Sequence, residues 1–488
     1  MQVETPRTRR PLVLVTVMLA MFMIAVESTI ISTAMPQIAG QLGDLHLYSW
    51  VFSAFLLTQS ATTVLFGKLA DQFGRKPVLL VGIAVFLCGT TLCGLAWSMP
   101  SLIAFRLIQG VGAGAIQPVC VTVIGDLYPM QERGKIQGYL ASVWGVSSVL
   151  GPLTGGLIVA KLSWAWVFWI NVPIGLAAAF GFTRFLHENL ARQTRKVDVI
   201  GASLFAVCVA ALMLAVTELG GSRDDIAVWA GSACLISGVL FVLQELRAPE
   251  PMMAFGLWGR RGIATANAAT LLSGMALVGL TTFLPMYVQG VMAQTPLIAG
   301  FALTMMVLGW PIGATLAAKN FNRFGPRATM LLGAVLLPVG AVAFLLLGPG
   351  SPVLVAGSGS IVMGLGMGFL SSSAIVMIQG SVGWSERGAA TASNVFSRNL
   401  GSTLGATVLG GVLNASLSHG GQAQAGVSYE QVRVLLEHPA TLIDSDAVRL
   451  ALGQGLHLTF WGVFATALLV LVFSLMVPRP APPPAAAE

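Results

Sequence analysis

Apolar runs of about 20 residues follow one another along most of the chain, separated by Gly, Pro or charged residues. A helix of about 20 apolar residues crosses the hydrocarbon core of a bilayer. With the turn residues and charges as boundaries, the sequence predicts fourteen membrane-spanning helices. Their predicted limits are 12–37, 48–67, 77–97, 100–126, 137–160, 164–186, 198–218, 226–246, 262–288, 297–318, 328–347, 352–377, 388–413 and 456–477.

Charged residues are too scarce to cover a water-facing surface. They make up 9% of the 488 residues, and the mean hydropathy is +0.83. A soluble protein carries about 25% charged residues. Most of the surface must therefore face lipid, which excludes a soluble enzyme and makes the bilayer itself a partner of this chain.

The basic residues between the predicted spans lie mostly on one side of the membrane. Of 26 lysines and arginines, roughly 20 fall on the side of the N-terminus and 4 on the other, while Arg106 and Arg398 lie inside spans. Cytoplasmic loops carry the excess of Lys and Arg. The sequence therefore predicts a multi-pass protein of the plasma (inner) membrane with both termini in the cytoplasm. The placement of the charge, rather than its net value of +7, is informative, and no nucleic-acid partner is expected.

Three landmarks recur at nearly constant offsets of 251, 254 and 255 residues. They are Phe73-Gly74-Arg75 with Phe324-Gly325-Pro326-Arg327, Glu132-Arg133-Gly134 with Glu386-Arg387-Gly388, and Gly155-Gly156 with Gly410-Gly411. A constant offset indicates two copies of one six-helix unit, with spans 7 and 8 as an insert. Repeats of this kind occur in secondary transporters.

The predicted fold is an all-α integral membrane protein with two pseudo-symmetric six-helix bundles plus two inserted helices. Its predicted parts are a cytoplasmic N-terminus (1–11), an N-terminal bundle (12–186), the inserted helices with flanking loops (187–261), a C-terminal bundle (262–477) with an external loop (414–455), and a disordered cytoplasmic tail (478–488).

Glu27 is the acidic residue placed deep inside a predicted span, and Arg106 lies at a similar depth in span 4. Ionisable residues within a membrane span are costly and are functional candidates by default. A carboxyl group next to an arginine can change its protonation state as access to the two sides alternates. We therefore predict proton coupling by Glu27 and Arg106, with a satisfied polar contact between helices as the alternative.

The loop after span 2 reads G-K-L-A-D-Q-F-G-R-K and contains Gly67, Asp71, Gly74 and Arg75. An aspartate can cap a helix N-terminus, and Arg75 could bridge to Asp126 at the same face. These five residues are predicted to form a conformational latch at the cytoplasmic face, rather than an ordinary basic loop.

Span 5 carries Gly145, Gly151, Pro152, Gly155 and Gly156. A proline inside a helix produces a kink, and glycines allow helices to approach closely. The segment is predicted to be a bent, closely packed helix on which the two halves could rock.

Other polar or aromatic residues inside spans are candidates for lining a substrate cavity. They are Gln109, Trp144, Asn171, Trp310, Asn394 and Arg398. Packing or lipid contact is the alternative for the tryptophans, and a structural ion pair is the alternative for Arg398.

Motifs for enzyme chemistry are absent from the sequence. There is no G-x-x-x-x-G-K-[ST] phosphate loop, no nucleophile elbow and no metal-spaced set of histidines. Gly110, Gly112 and Gly114 superficially suggest a dinucleotide loop, but they lie inside an apolar span and not after a strand. We expect no cofactor, no metal site and no enzymatic activity.

These motifs resemble the major facilitator superfamily, specifically its fourteen-helix drug:proton antiporter branch of the multidrug efflux type. Gly67–Lys76 looks like the signature loop, Arg106–Gly114 resembles the span-4 motif assigned to proton coupling, and Gly151–Gly156 resembles the antiporter motif. Glu27–Pro36 and Trp164–Pro173 resemble the span-1 and span-6 motifs of the branch. The branch usually has Asp at the position of Glu27. It usually has Arg at the position of Ala165, and the loss of this arginine weakens a functional role for the outer end of span 6.

The resemblance implies a proton-coupled exporter of small, largely apolar or amphipathic compounds that works by alternating access. Its partners would be a small-molecule substrate and protons, its transport unit a monomer, and a periplasmic adaptor would be an additional partner if one exists. Dedicated export of one metabolite or lipid on the same scaffold is the first alternative. A membrane receptor or assembly subunit that does not transport is the second.

Overall fold

The computed structural model describes residues 9–42, 48–188, 198–218, 224–248, 255–294, 296–419 and 445–478. Most of the predicted external loop, the first eight residues and nearly all of the tail lie outside these ranges. The helices are α1 (Arg10–Leu42), α2 (Tyr48–Phe73), α3 (Arg75–Gly94), α4 (Met99–Leu127), α5 (Met130–Lys161), α6 (Trp166–Trp169), α7 (Asn171–Phe185), α8 (Val199–Glu218), α9 (Asp224–Arg247), α10 (Phe255–Trp258), α11 (Arg261–Met286), α12 (Pro296–Leu345), α13 (Val353–Gly380), α14 (Arg387–His419) and α15 (Ser445–Leu475).

The all-α membrane fold predicted from the sequence is confirmed. In the described ranges, twelve helices are long and apolar enough to cross a membrane. Helices α8 and α14 occupy the predicted spans 198–218 and 388–413 but are not among the twelve. Helix α14 is rich in Ser, Thr, Asn and Gly, so its hydropathy is lower than that of its neighbours. The count of fourteen spans remains a prediction.

Two glycines at repeat-related positions produce the sharp turns of the two bundles. Gly74 has a φ of 99° between α2 and α3, and Gly325 has a φ of 76° inside α12. Only glycine adopts positive φ without a steric penalty. Helix α12 therefore consists of two helical segments that meet at Gly325, and they correspond to predicted spans 10 and 11.

Each bundle has its own apolar core. The first bundle (α1–α7) buries side chains such as Phe86 and Phe182, and the second (α11–α15) buries Phe344 and Phe460. Within the first bundle α4 packs closely against α3 at Gly112. A Cβ at this position would lie only 2.7 Å from Cα of Phe86. Small residues at helix contacts allow such packing in membranes.

The inserted helices α8 and α9 cover one side of the seam between the bundles. The ring of Phe205 on α8 lies 5.3 Å from that of Phe241 on α9 and 5.6 Å from that of Phe396 on α14. The same apolar cluster includes Ala61 and Val64 of α2. The insert thus contacts one helix from each bundle.

Candidate functional site

Glu27 lies at the centre of a polar network inside the first bundle. Its side chain is fully buried, and Nη1 of Arg106 donates to its Oε1 at 2.7 Å. Nδ2 of Asn171 donates to the other carboxylate oxygen at 2.6 Å. Both carboxylate oxygens therefore have a partner, as a charge that is buried this deeply requires.

Arg106 has partners besides Glu27. Its Nη1 also donates to Oε1 of Gln109 at 2.6 Å, and its Nε donates to the backbone oxygen of Val51 at 3.1 Å. The guanidinium carbon lies 4.3 Å from the ring centre of Phe55, a cation–π distance. Gln109 is held in turn by Oγ1 of Thr90 at 2.7 Å. Arg106 is therefore fixed by groups that do not titrate as well as by Glu27.

Five helices of one bundle contribute to this network. Glu27 comes from α1, Arg106 and Gln109 from α4, Asn171 from α7, while α2 and α3 supply the contacts at Val51 and Thr90. No residue of the second bundle is among the described partners of Glu27. The amide oxygen of Asn171 is buried and accepts no hydrogen bond from the described residues.

The glycines of α5 place this helix against α1 close to Glu27. A Cβ at Gly151 would meet Oγ1 of Thr29 and lie 2.8 Å from its Cβ, and Thr29 donates to the backbone oxygen of Ser147 at 3.0 Å. A Cβ at Gly145 would lie 3.6 Å from Val307 of the second bundle. Through Gly151 and Gly145, helix α5 therefore contacts both α1 and α12. Of the other predicted residues, Gly155 is buried and Gly156 has open space around it, while the side chain of Pro152 is not among those described.

A second charged network, here called the Asp126 cluster, consists of Asp71, Arg75, Asp126 and Arg387. Arg75 bridges Asp71 at 2.9 Å and Asp126 at 3.0 Å, and its side chain is 1% exposed. Arg387 of α14 approaches the other oxygen of Asp126 at 2.6 Å. The pair of Arg75 and Asp126 was expected from the sequence, whereas the partner from the second bundle was not.

The Asp126 cluster ties the two bundles together at the Gly74 end of the molecule. The backbone N–H groups of Gly388 and Ala389, at the start of α14, donate to Asp71 at 3.0 and 2.8 Å. Arg75 donates to the backbone oxygen of Trp384 at 3.1 Å, with its guanidinium 4.2 Å from the indole centre. A carboxylate at a helix N-terminus is favoured by the helix dipole.

Close backbone contact and a third arginine complete this junction. A Cβ at Gly67 would lie 3.0 Å from the backbone oxygen of Gly388. Arg133 donates to the backbone oxygens of Gly125 and Tyr128 at 2.5 and 2.9 Å. Burial and the neighbouring positive charge of Arg387 lower the pKa of Arg133.

The other cavity candidates lie in different surroundings. Asn394 is buried between α14 and α11, where its Nδ2 donates to Asn267 at 3.1 Å and to Thr270 at 2.9 Å. Trp310 is partly buried against the second core. Trp144 is 36% exposed. Their predicted contact with substrate remains a prediction, as does that of Arg398.

No metal site is evident in the described residues, where no three His, Cys, Asp or Glu side chains come together in a suitable group.

Residues 17–406 match the family model described as the Major Facilitator Superfamily. The chain is 35% identical over 399 residues to "Multidrug resistance protein 3" of Bacillus subtilis (strain 168), covering 81% of this chain and 78% of that protein. It is 33% identical over 419 residues to "Multidrug transporter protein MdtP" of the same organism, covering 85% and 77%.

A solved structure, that of the human organic anion transporter MFSD10 (TETRAN), resembles this fold with a TM-score of 0.66 at 17% identity. The likeness covers 95% of this chain and 100% of that chain. These two sequence relatives are named as a multidrug resistance protein and a multidrug transporter. This multi-pass membrane protein is therefore a transporter that belongs to the Major Facilitator Superfamily.

Proposed function

We propose that this transporter exports small, largely apolar or amphipathic compounds in exchange for protons, by alternating access, across the plasma (inner) membrane. Both termini would lie in the cytoplasm, which makes the Gly74 end the cytoplasmic end. The observation that carries the proposal is the fully buried carboxylate of Glu27, held by Arg106 and Asn171 inside one bundle. A buried acid on a membrane-spanning helix is a functional group by default.

Protonation of Glu27 would leave Arg106 with adequate partners. The arginine already donates to Gln109 and to the backbone oxygen of Val51. When Glu27 takes up a proton, its attraction to Arg106 weakens, but Arg106 keeps its hydrogen bonds to Gln109 and Val51. This lowers the cost of the neutral state, because leaving a buried charge unpaired is strongly unfavourable.

Asn171 would serve both protonation states of Glu27. In the structure its N–H₂ donates to Oε2 of the carboxylate, and its amide oxygen has no hydrogen-bond partner among the described residues. A protonated carboxyl is a donor and needs an acceptor. Rotation of the Asn171 amide would offer that acceptor, so that the same side chain accommodates the acid with and without its proton.

Helix α5 offers a route from this site to the other bundle. It contacts α1 through Gly151 and Thr29, two residues beyond Glu27, and contacts α12 near Gly145. A small shift of α1 when Glu27 changes charge would therefore displace α5, which also packs on the second bundle. Packed interfaces tend to switch between discrete arrangements rather than deform continuously.

The Asp126 cluster would close the cytoplasmic end in one half of the cycle. Its bonds between bundles join Asp126 to Arg387 and Asp71 to the first N–H groups of α14. These contacts must break for the bundles to separate at that end. The conformation described here is then the one that is closed towards the cytoplasm.

Transport of chemically different probes by purified protein in proteoliposomes tests this function. Ethidium, pyrenebutyrate and N-phenylnaphthylamine are cationic, anionic and neutral, so the assay does not depend on the charge of the substrate. We expect an imposed pH gradient to drive at least one of them, with counterflow of protons reported by a trapped pH dye. Failure of all three to respond to the gradient would refute proton-coupled export.

A further inference from the structure

Arg398 is a cation inside a helix of the second bundle that has no ionic partner in the described part of the chain. It lies eleven residues after Arg387 at the start of α14, which is roughly 16 Å along the helix at 1.5 Å per residue. Every ion pair among the described residues involves a different arginine, and the Arg398 side chain makes no hydrogen bond to any of these residues. Charges at this depth are normally paired or face a water-filled cavity.

The direction of Arg398 follows from its neighbours on α14. Phe396 and Leu400 belong to the apolar cluster formed with the inserted helices. Each is two residues from Arg398, so at about 100° per residue Arg398 points to the opposite side of α14. On that side of α14, Arg398 lies between Asn394, which hydrogen-bonds to α11, and Ala392, which contacts Gly67 of α2. Arg398 therefore faces the interior of the molecule, where the two bundles meet.

Trp144 occupies the matching position in the first bundle. The offset of 254 residues that relates Glu132 to Glu386 also relates Trp144 to Arg398. On α5 the exposed side chains of Val146 and Leu150 lie on the far side from Trp144, which sits between the contacts made by Gly145 with α12 and by Gly151 with α1. Trp144 is 36% exposed and faces the same interior region.

We propose that Arg398 is the anion-binding group of the substrate site, and that the exported compounds are amphipathic organic anions whose apolar part contacts Trp144. Glu27 and Arg106 neutralise each other as an ion pair, whereas Arg398 has no ionic partner among the described residues. A carboxylate or phenolate on the substrate supplies the missing charge and can accept two parallel N–H bonds from guanidinium. The inference rests on the proposed export function, because it assigns the substrate class of that same site.

Binding of three matched probes to purified protein in nanodiscs tests this assignment. Pyrenebutyrate, pyrenebutanol and pyrenebutylamine share one fluorophore and differ in charge. We expect the wild-type protein to bind pyrenebutyrate at least tenfold more tightly than the other two. Arg398→Gln should weaken pyrenebutyrate binding roughly ten- to hundredfold, which is the usual effect of losing a hydrogen bond to a charged group. Its binding of pyrenebutanol should remain unchanged, which also shows that the variant is folded.

Three further variants complete the test. Arg398→Lys should retain part of the preference for the anion. Trp144→Ala should weaken the binding of all three probes to the same extent. Arg323→Gln removes an exposed arginine at the bend of α12 and should change nothing. An equal loss of preference in Arg323→Gln, an unchanged preference in Arg398→Gln, or a wild-type preference for the amine would overturn the assignment. The measurement uses no pH gradient, so it stands or fails separately from proton coupling.

Discussion

Asn171 donates a 2.6 Å hydrogen bond to Glu27 from a helix 144 residues further along the chain, while its own amide oxygen accepts none from the described residues. The contact joins the start of α7 to the middle of α1. It gives the carboxylate a second partner besides Arg106, and in the proposed cycle the unpaired amide oxygen would accept from the protonated acid.

Replacement of Asn171 by Leu should uncouple export from the proton gradient. Leucine is similar in size but can neither donate to the carboxylate nor accept from the acid. A hydrogen bond to a charged group contributes about 1.5–3 kcal/mol, so we expect gradient-driven efflux to fall roughly tenfold or more. Binding of a neutral probe should persist. Full gradient-driven efflux by Asn171→Leu would show that the contact is dispensable.

Replacement of Arg106 by Gln should change the pH dependence of transport and lower its rate. Loss of the neighbouring cation favours the protonated form of Glu27. The proton is then released only at higher pH, so the pH optimum of efflux should move upward. Arg106→Lys keeps the charge and should stay closer to the wild-type profile. A rate loss with an unmoved profile in Arg106→Gln would indicate a structural role or contact with substrate.

Replacement of Asp71 by Asn should favour the conformation that is open towards the cytoplasm, or slow the cycle, without blocking binding. The carboxylate accepts from two N–H groups at the start of α14 and pairs with Arg75. A charge at a helix terminus contributes about 1 kcal/mol, enough to shift a balanced equilibrium several-fold. Alkylation of cysteines introduced at each face measures the shift. Asp446→Asn, an exposed acid on α15, is the control; equal accessibility and transport in both variants would contradict the role.

Two glycines of α5 offer a matched pair. A methyl group at Gly151 would collide with Thr29 beside Glu27, whereas one at Gly156 would meet nothing within 4 Å. Overpacking of a tight contact costs about 1–3 kcal/mol, so Gly151→Ala should lower both the thermal midpoint and the export rate. Gly156→Ala should be neutral or slightly stabilising. Similar behaviour of the two variants would show that the contact between α5 and α1 is not needed.

Much of the fold was predictable because apolar length and the placement of Lys and Arg act locally along the chain. The weakest prediction concerned α14, whose many small polar residues are acceptable only where they face other helices, as Asn394 faces Asn267. The two separate spans predicted on either side of Gly325 were correct, because the backbone at Gly325 is not helical. A glycine followed by a proline indicates a break between helices, and Gly325 has a positive φ of 76° at that point.

The site was predictable only in part. The depths of Glu27 and Arg106 along their helices suggested that the two meet, and the structure brings them to 2.7 Å. Asn171 was expected to line a cavity, and its contact with Glu27 depends on how α7 packs against α1. Arg387 was missed as a partner of Asp126, because 261 residues separate them and only the approach of the two bundles joins them. The internal sequence repeat was the signal available for Arg387, because its offset of 254 residues aligns Arg387 with Arg133.

The most direct test of the account is gradient-driven efflux by Glu27→Gln in proteoliposomes, measured together with proton counterflow and with the amount of folded protein. The amide matches the carboxyl group in shape but cannot titrate. We predict that Glu27→Gln folds and binds a neutral probe but shows neither gradient-driven efflux nor substrate-linked proton movement, while Glu27→Asp retains both. Wild-type efflux and proton counterflow in Glu27→Gln would contradict the central claim that Glu27 carries the proton.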